Sequence, residues 1–298
     1  MTAPGLDGAR RAWLLGAGMA VVTLHHSPAR AQGERRIVSV GGALTETLYL
    51  LGAQADLVGV DTTSMFPEAA RRLPSVGYAR TLSAEGVLSL RPTLIVATQE
   101  AGPPAVLRQL EAARVPTAVL DADHRVEGVW ARTQRLADLC GRAEAGRALV
   151  SELQRAWAQA QEQLAARSAA AGGKPAPRVL FVLSHSMAQV RVSGTGTAAD
   201  AMIRLAGAQN ALATFEGYKP LTPEAAIAAA PDVILVTEQG LQAAGGTDGL
   251  LKAPGLAQTP AGRARRVVAL EALLLLGFGP RLPQAVAALA QGLHGQMA

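Results

Sequence analysis

The sequence predicts an α/β protein of two Rossmann-like lobes with mainly parallel sheets, joined by one long rigid α-helix, with a ligand cleft between the lobes. Three observations carry this expectation. Two stretches 139 residues apart align without a gap over seventeen positions. Leu82-Ser83-Ala84-Glu85 leads through an apolar helix to Arg91-Pro92 and the strand Thr93–Ala97. Leu221-Thr222-Pro223-Glu224 leads likewise to Ala230-Pro231 and the strand Val233–Val236. Upstream of each stands a Gly-Tyr pair, Gly77-Tyr78 and Gly217-Tyr218, with Arg80 or Lys219 within two residues. So long a period exceeds that of solenoid and propeller repeats. It fits two lobes, each presenting a tyrosine and a cation from a loop. The second observation is a strand–helix alternation on both sides of the middle, which favours parallel sheets covered on both faces. The third is a breaker-poor helical stretch between the two halves.

Taken in order, the chain opens with Arg10-Arg11, an apolar run from Ala12 to Leu24, and Ala29-Arg30-Ala31. That is a charged, then apolar, then cleavage-site pattern, so residues 1–31 are expected to be a removable export signal. Thirteen apolar residues fall short of the roughly 20 that cross a bilayer. The arginine pair is a poor match to a twin-arginine signal, and no cysteine stands near the cleavage site to carry lipid. The mature product is expected in the periplasm, without stable membrane insertion.

The amino lobe is expected over 32–141. Strands are predicted at Arg36–Val40, Leu57–Val60, Thr93–Ala97 and Ala118–Asp121. Helices are predicted at Thr45–Leu51, closed by Gly52, and at Ala84–Leu90, Pro104–Ala113 and Val126–Cys140. The connecting helix is expected over 142–171, with Val150, Leu153, Trp157, Gln161 and Leu164 at helical spacing. It would be about 42 Å long at 1.5 Å per residue. Gly172-Gly173 and Pro175 end it. The carboxyl lobe is expected over 178–298, with strands Arg178–Leu183, Val233–Val236 and Arg266–Leu270. Its helices are predicted at Thr197–Ala206 and from about Pro283 to Leu293.

Composition narrows the function classes. The chain carries 28 Lys and Arg against 23 Asp and Glu; losing Arg10, Arg11, Arg30 and Asp7 with the signal leaves a net charge of +3. No Lys/Arg cluster of the nucleic-acid kind occurs. A mild positive bias suits an anionic small ligand. Cys140 is the single cysteine, so no intramolecular disulfide forms. At a helix end it reads as a small buried hydrophobe.

From Arg36 to the carboxyl end the chain resembles the periplasmic haem-binding proteins that serve ABC importers, within the class whose lobes are joined by a rigid helix. The most specific pieces are Val76-Gly77-Tyr78-Ala79-Arg80-Thr81-Leu82-Ser83-Ala84-Glu85-Gly86, Gly196-Thr197-Ala198-Ala199-Asp200-Ala201 and Glu216-Gly217-Tyr218-Lys219-Pro220-Leu221. The wider class also carries siderophores and cobalamin. The resemblance implies a monomeric carrier of ferric haem, not an enzyme. Its partner would be an ABC permease dimer with ATPase subunits.

The chemistry of Tyr78 suits that implication. A free phenol titrates near 10 and binds poorly until its anion is stabilised, which ferric iron does; tyrosinate is a known haem ligand. If the loop is extended, Arg80 shares a face with Tyr78, where a guanidinium favours the phenolate. The competing reading makes Tyr78 a loop aromatic and Arg80 a surface charge. His185 follows a strand, at the end where open α/β sheets bind ligands. It is either a second iron ligand or a loop histidine bonded to backbone. Tyr218 and Lys219 face the same choice, with Lys219 suited to a haem propionate because a protonated amine has no lone pair for iron.

Gly194-Thr195-Gly196-Thr197-Ala198-Ala199 matches the dinucleotide fingerprint but lies outside an amino-terminal βαβ unit. It reads as a tight turn with Thr195 or Thr197 capping the next helix. Glu85 and Glu224 take matched places in the first turn of two helices, where the helix dipole favours them. The resemblance implies that they dock onto the two permease subunits. The rivals are the same fold carrying a ferric siderophore or cobalamin and, more distantly, an exported metal-dependent enzyme.

Overall fold

A computed structural model describes residues 35–170, 172–183 and 190–295, with backbone only at 294 and 295. The expected signal segment lies outside the described residues, as does His185. In the amino lobe, β1 (Ile37–Val40), β2 (Leu57–Val60), β3 (Leu94–Thr98) and β4 (Thr117–Leu120) form one sheet in the order β2-β1-β3-β4. Every pairing in it is parallel. The central strand β1 is buried throughout and reads Ile-Val-Ser-Val, as a strand covered on both faces should.

Helices α1 (Gly42–Leu50), α2 (Ala84–Ser89), α3 (Pro104–Ala112) and α4 (Val126–Leu139) supply the connections. Then comes α5, Ala143–Ala170, 28 residues long. Its Leu149 and Leu153 belong to the amino-lobe core, while Trp157 and Leu164 pack against the core of the other lobe. One helix therefore seals two cores. Of the expected stripe, Gln161 is exposed, and Ala160 takes the buried place beside it.

The carboxyl lobe holds β5 (Arg178–Leu183), β6 (Arg191–Ser193), α6 (Ala198–Leu205), β7 (Gln209–Asn210), β8 (Tyr218–Pro220), α7 (Pro223–Ala229) and β9 (Val233–Thr237). It continues with α8 (Glu238–Ala243), α9 (Gly246–Leu250), α10 (Pro260–Arg263), β10 (Val267–Leu270), α11 (Ala272–Leu276) and α12 (Leu282–Gly295). Strands β10, β9 and β5 run parallel, and β6 and β8 extend the sheet antiparallel. The start of α1 is earlier than its sequence suggests. Gly41 takes a φ of 127° and donates its N–H to Asp61, and a Cβ on Gly42 would stand 2.3 Å from the Thr63 carbonyl. Glycine at both positions lets the helix begin against the loop after β2.

The lobes touch well beyond α5. Val126 and Val129 of α4 lie in the same apolar cluster as Phe181 and Leu235 of the carboxyl lobe. Residues 271–281 of the carboxyl lobe reach across to the amino lobe. Arg281 grips Glu46 of α1 with two nitrogens, at 2.7 and 3.1 Å, and stacks 3.9 Å above the Phe66 ring. Arg132 of α4 donates to the carbonyls of Asp121 and Phe278.

Glu46 is 3% exposed. Its burial outweighs the nearby guanidinium and raises its pKa above 4.5. A raised carboxyl pKa means the folded form keeps its proton longer. That contribution to stability is full below about 4.5 and is lost as pH rises through the folded value. We expect Glu46→Gln to flatten this slope in thermal melts across pH 4 to 7. Glu46→Ala should cost about 2–3 kcal/mol, or roughly 5–10 °C in Tm, because Arg281 is left half-paired at the lobe boundary. It should fall short of the cost of breaking a fully buried pair, since Glu271 stays 3.7 Å from Arg281.

Candidate functional site

A cavity of about 520 Å³ opens between the lobes. Its position follows from the topology. Gly41, Thr62, Glu100 and Ala122 stand one or two residues past the carboxyl ends of β1 to β4, and all four line it. Gln239 and Glu271 stand equally close past β9 and β10 and line it too. Six parallel strands from two sheets thus aim their carboxyl ends at one space, the ligand position of open α/β folds.

The rim loops are fixed from below. Asp61, 2% exposed, accepts from the N–H groups of Gly41 and Thr63 and from the hydroxyls of Thr63 and Ser64, all within 3.0 Å. The back wall is apolar. Leu273 and Leu276 of α11 and Phe278 line it, and Met65 of the amino lobe adds to the apolar lining. Phe278 also meets His124, ring centroids 5.2 Å apart. Burial lowers the pKa of His124, against the pull of Glu100 and Asp123, and so favours a neutral imidazole on the cavity wall.

Tyr78 lines the cavity and is 43% exposed, an unusual amount of open phenol on a concave wall. Arg80 lines the same wall. The segment between them is not extended: Ala79–Thr81 is a 3₁₀ turn, so strand-like alternation does not bring the two side chains together. Arg80 Nη2 instead pairs with Glu100 Oε2 at 2.6 Å. That hydrogen bond is the main reason its pKa is raised, with smaller contributions from the fields of Tyr78 and Tyr218. The loop is clamped to the neighbouring segment by Gly102 N–H to Ala79 C=O and Leu82 N–H to Gly102 C=O.

Tyr218 and Lys219 lie on a strand, not a loop: β8 pairs with β6, Ser193 opposite Tyr218 and Val192 opposite Lys219. Neighbours on a strand face opposite ways. Tyr218 turns toward the core that contains Phe181, ring centroids 6.5 Å apart. Burial raises its pKa, a hydrogen bond with Thr197 opposes this, and the charges of Glu100 and Arg80 reach it across the cleft. Lys219 turns to the other face, its ammonium 4.9 Å over the Phe215 ring. Neither residue lines the cavity. The alternation of the strand thus sends the two side chains to opposite faces, Lys219 to the face of Phe215.

Thr197 caps α6 through the Asp200 N–H at 3.1 Å, which settles the glycine motif as a turn and a cap. Cys140 is buried, which pushes its thiol up to about 11. Glu85 and Glu224 are exposed in the first turns of α2 and α7. The two helix starts match: Ser83 accepts from the Gly86 N–H at 3.3 Å, and Thr222 from the Ala225 N–H at 3.2 Å. Gln239, Glu100, His124 and the segment 271–281 were not picked out by sequence reading. For Glu100 a signal existed, because the internal repeat sets it opposite Gln239.

With this geometry in view, comparison with known proteins is informative. The periplasmic binding protein family model matches residues 37–273. The chain belongs to that family. In three dimensions it is similar to the periplasmic haem-binding protein BhuT in complex with two haems. Identity is 50%, over 89% of this chain and all of that one, with a TM-score of 0.83. It is also similar to the periplasmic haem-binding protein RhuT from Roseiflexus sp. RS-1 in apo form. There identity is 42%, over 89% of this chain and all of that one, with a TM-score of 0.84. The ABC transporter substrate-binding lipoprotein YvrC of Bacillus subtilis is 24% identical over 87% of this chain and 80% of its own length. The vitamin B12-binding protein of Yersinia pestis is 34% identical over 94 residues, 32% of this chain and 34% of that protein.

Proposed function

We propose that the protein captures ferric haem in the interlobe cavity, with Tyr78 supplying the iron ligand, and hands it to an ABC permease. The observation that carries this reading is a half-open phenol on the wall of a largely apolar cavity, next to an arginine. It occurs in a chain half-identical, along the whole length of that protein, to one that binds two haems. The parts suit the ligand. Leu273, Leu276, Phe278 and Met65 offer apolar walls to a porphyrin face, and Arg80 is a cation for a propionate. Tyrosinate oxygen matches ferric iron. Family membership supports a role in transport rather than catalysis, and the amino-terminal pattern supports export to the periplasm. Glu85 and Glu224 would each engage one permease subunit.

His185 belongs to this proposal as a second iron ligand. It follows β5 by two residues, the offset at which Thr62, Glu100, Ala122 and Gln239 reach the cavity from their own strands. We expect His185→Ala to lower the haemin titration endpoint or change the spin state of bound iron. An unchanged endpoint and spectrum would return His185 to a backbone-bonded loop role. Cobalamin is the second reading, favoured by the local match to the Yersinia protein. It covers a third of the chain and leaves the exposed Tyr78 unused, so haem is the better fit.

A further inference from the structure

Equivalent positions in the two lobes carry different charges. Glu100 stands two residues past β3 and Gln239 two residues past β9, and both line the cavity. Gln239 Oε1 accepts from the Ala272 N–H at 3.0 Å, tying α11 to its own lobe. Glu100 makes no such bond to the backbone among the described residues. Its carboxylate holds Arg80, and both side chains are about half exposed, at 51% and 57%.

The other charges on the cavity wall are already committed. Arg132 donates to two carbonyls. Glu271 accepts from the N–H groups of Leu273 and Leu274. Arg80 is therefore the cation best placed to receive a ligand's carboxylate, and a carboxylate of the protein already sits on it.

We propose that Glu100 is a built-in competitor for the ligand's carboxylate: it holds Arg80 before docking, yields it to the ligand, and takes it back as the ligand leaves. The idea rests on the haem reading and assigns Glu100 as a residue that limits affinity and favours release. Its physical basis is exchange on one guanidinium. When the ligand's carboxylate takes Arg80, Glu100 is covered without its cation, which costs part of the binding free energy. A carrier that must give up its cargo gains from such a limit. A ligand without carboxylates would leave the Arg80–Glu100 pair intact and feel no competition.

The test measures Kd and dissociation rate for haemin and for its dimethyl ester, using the mature protein, Glu100→Gln, Arg80→Ala and the double variant. Gln is the residue the other lobe uses at this place. Glu100→Gln is expected to tighten haemin about fivefold, mainly through slower dissociation. That is ~1 kcal/mol, the upper end for an exposed ion pair. Ester binding should change less than twofold, and Glu100→Gln should have no effect in the Arg80→Ala background. Unchanged or weaker haemin binding in Glu100→Gln would overturn the proposal. So would equal tightening of the ester, or tightening that survives without Arg80. If the unaltered protein takes up no haemin, the haem reading itself falls and this one with it; uptake without the Glu100 effect removes this one alone.

Discussion

Replacing Tyr78 by Phe should abolish the high-spin tyrosinate spectrum of the haemin complex and weaken binding on the order of 100-fold. The ring stays and the oxygen goes. The lost bond to iron is worth at least the ~3 kcal/mol of a strong charge-assisted contact, which corresponds to that ratio. Stability should hardly change, because Tyr78 is 43% exposed and surface substitutions usually fall within about 0.5 kcal/mol. A variant that keeps the spectrum of the unaltered protein would exclude Tyr78 as ligand. Arg80→Ala should be milder, since it removes a neighbouring charge and not the bond. The two outcomes together separate ligation from general electrostatics.

The second large effect is expected in delivery. The charge reversals Glu85→Lys and Glu224→Lys, combined, should abolish haem-dependent transport while haemin binding in solution stays normal. The two carboxylates stand on matched, separately capped helix starts, one per lobe, and neither makes an ion pair among the described residues. Each single reversal should be weaker, because one rim charge contributes modestly. Full transport by the double variant would remove the docking role. Loss of haemin binding would move these residues into the fold or the pocket.

The lobe ties give such docking a mechanical meaning. Spreading the lobes strains α5, parts Arg281 from Glu46, and breaks the hydrogen bond from Arg132 to the Phe278 carbonyl. The segment that carries Phe278 and Arg281 also forms the apolar back wall. A force applied at the two outer helix starts would therefore act on the cargo site itself.

Much of this was legible in the sequence because it is written in short-range patterns. The internal repeat placed β3 and β9, their preceding helices, and the two glutamates at matched caps. Breaker-poor composition placed α5 to within a residue at each end. Tyr78 and Arg80 were legible from their Gly-Tyr-x-Arg string, although the 3₁₀ turn between them was not. Three-residue β8 escaped notice because so short a run has no measurable period, and Pro220 ends it. With β8 missed, the opposite facing of Tyr218 and Lys219 could not be derived.

What remained hidden depends on distant pairing. Arg281 and Glu46 are 235 residues apart, and nothing local in either segment announces the other. The same holds for His124 against Phe278, and for α11, of whose four leucines Leu273 and Leu276 line the cavity. Glu100 was hidden only in part, since the repeat continued two residues past β3 sets it opposite Gln239. Its charge has meaning only beside Arg80, which the chain brings to it from 20 residues away.

The most direct test of the central claim is an absorbance titration of the purified mature protein with haemin, beside parallel titrations with cyanocobalamin and a ferric siderophore. Saturable haemin binding with a high-spin tyrosinate spectrum is expected, undisturbed by an excess of either competitor. Saturable binding of cobalamin or siderophore, with haemin absorbing as it does free in buffer, would contradict the assignment.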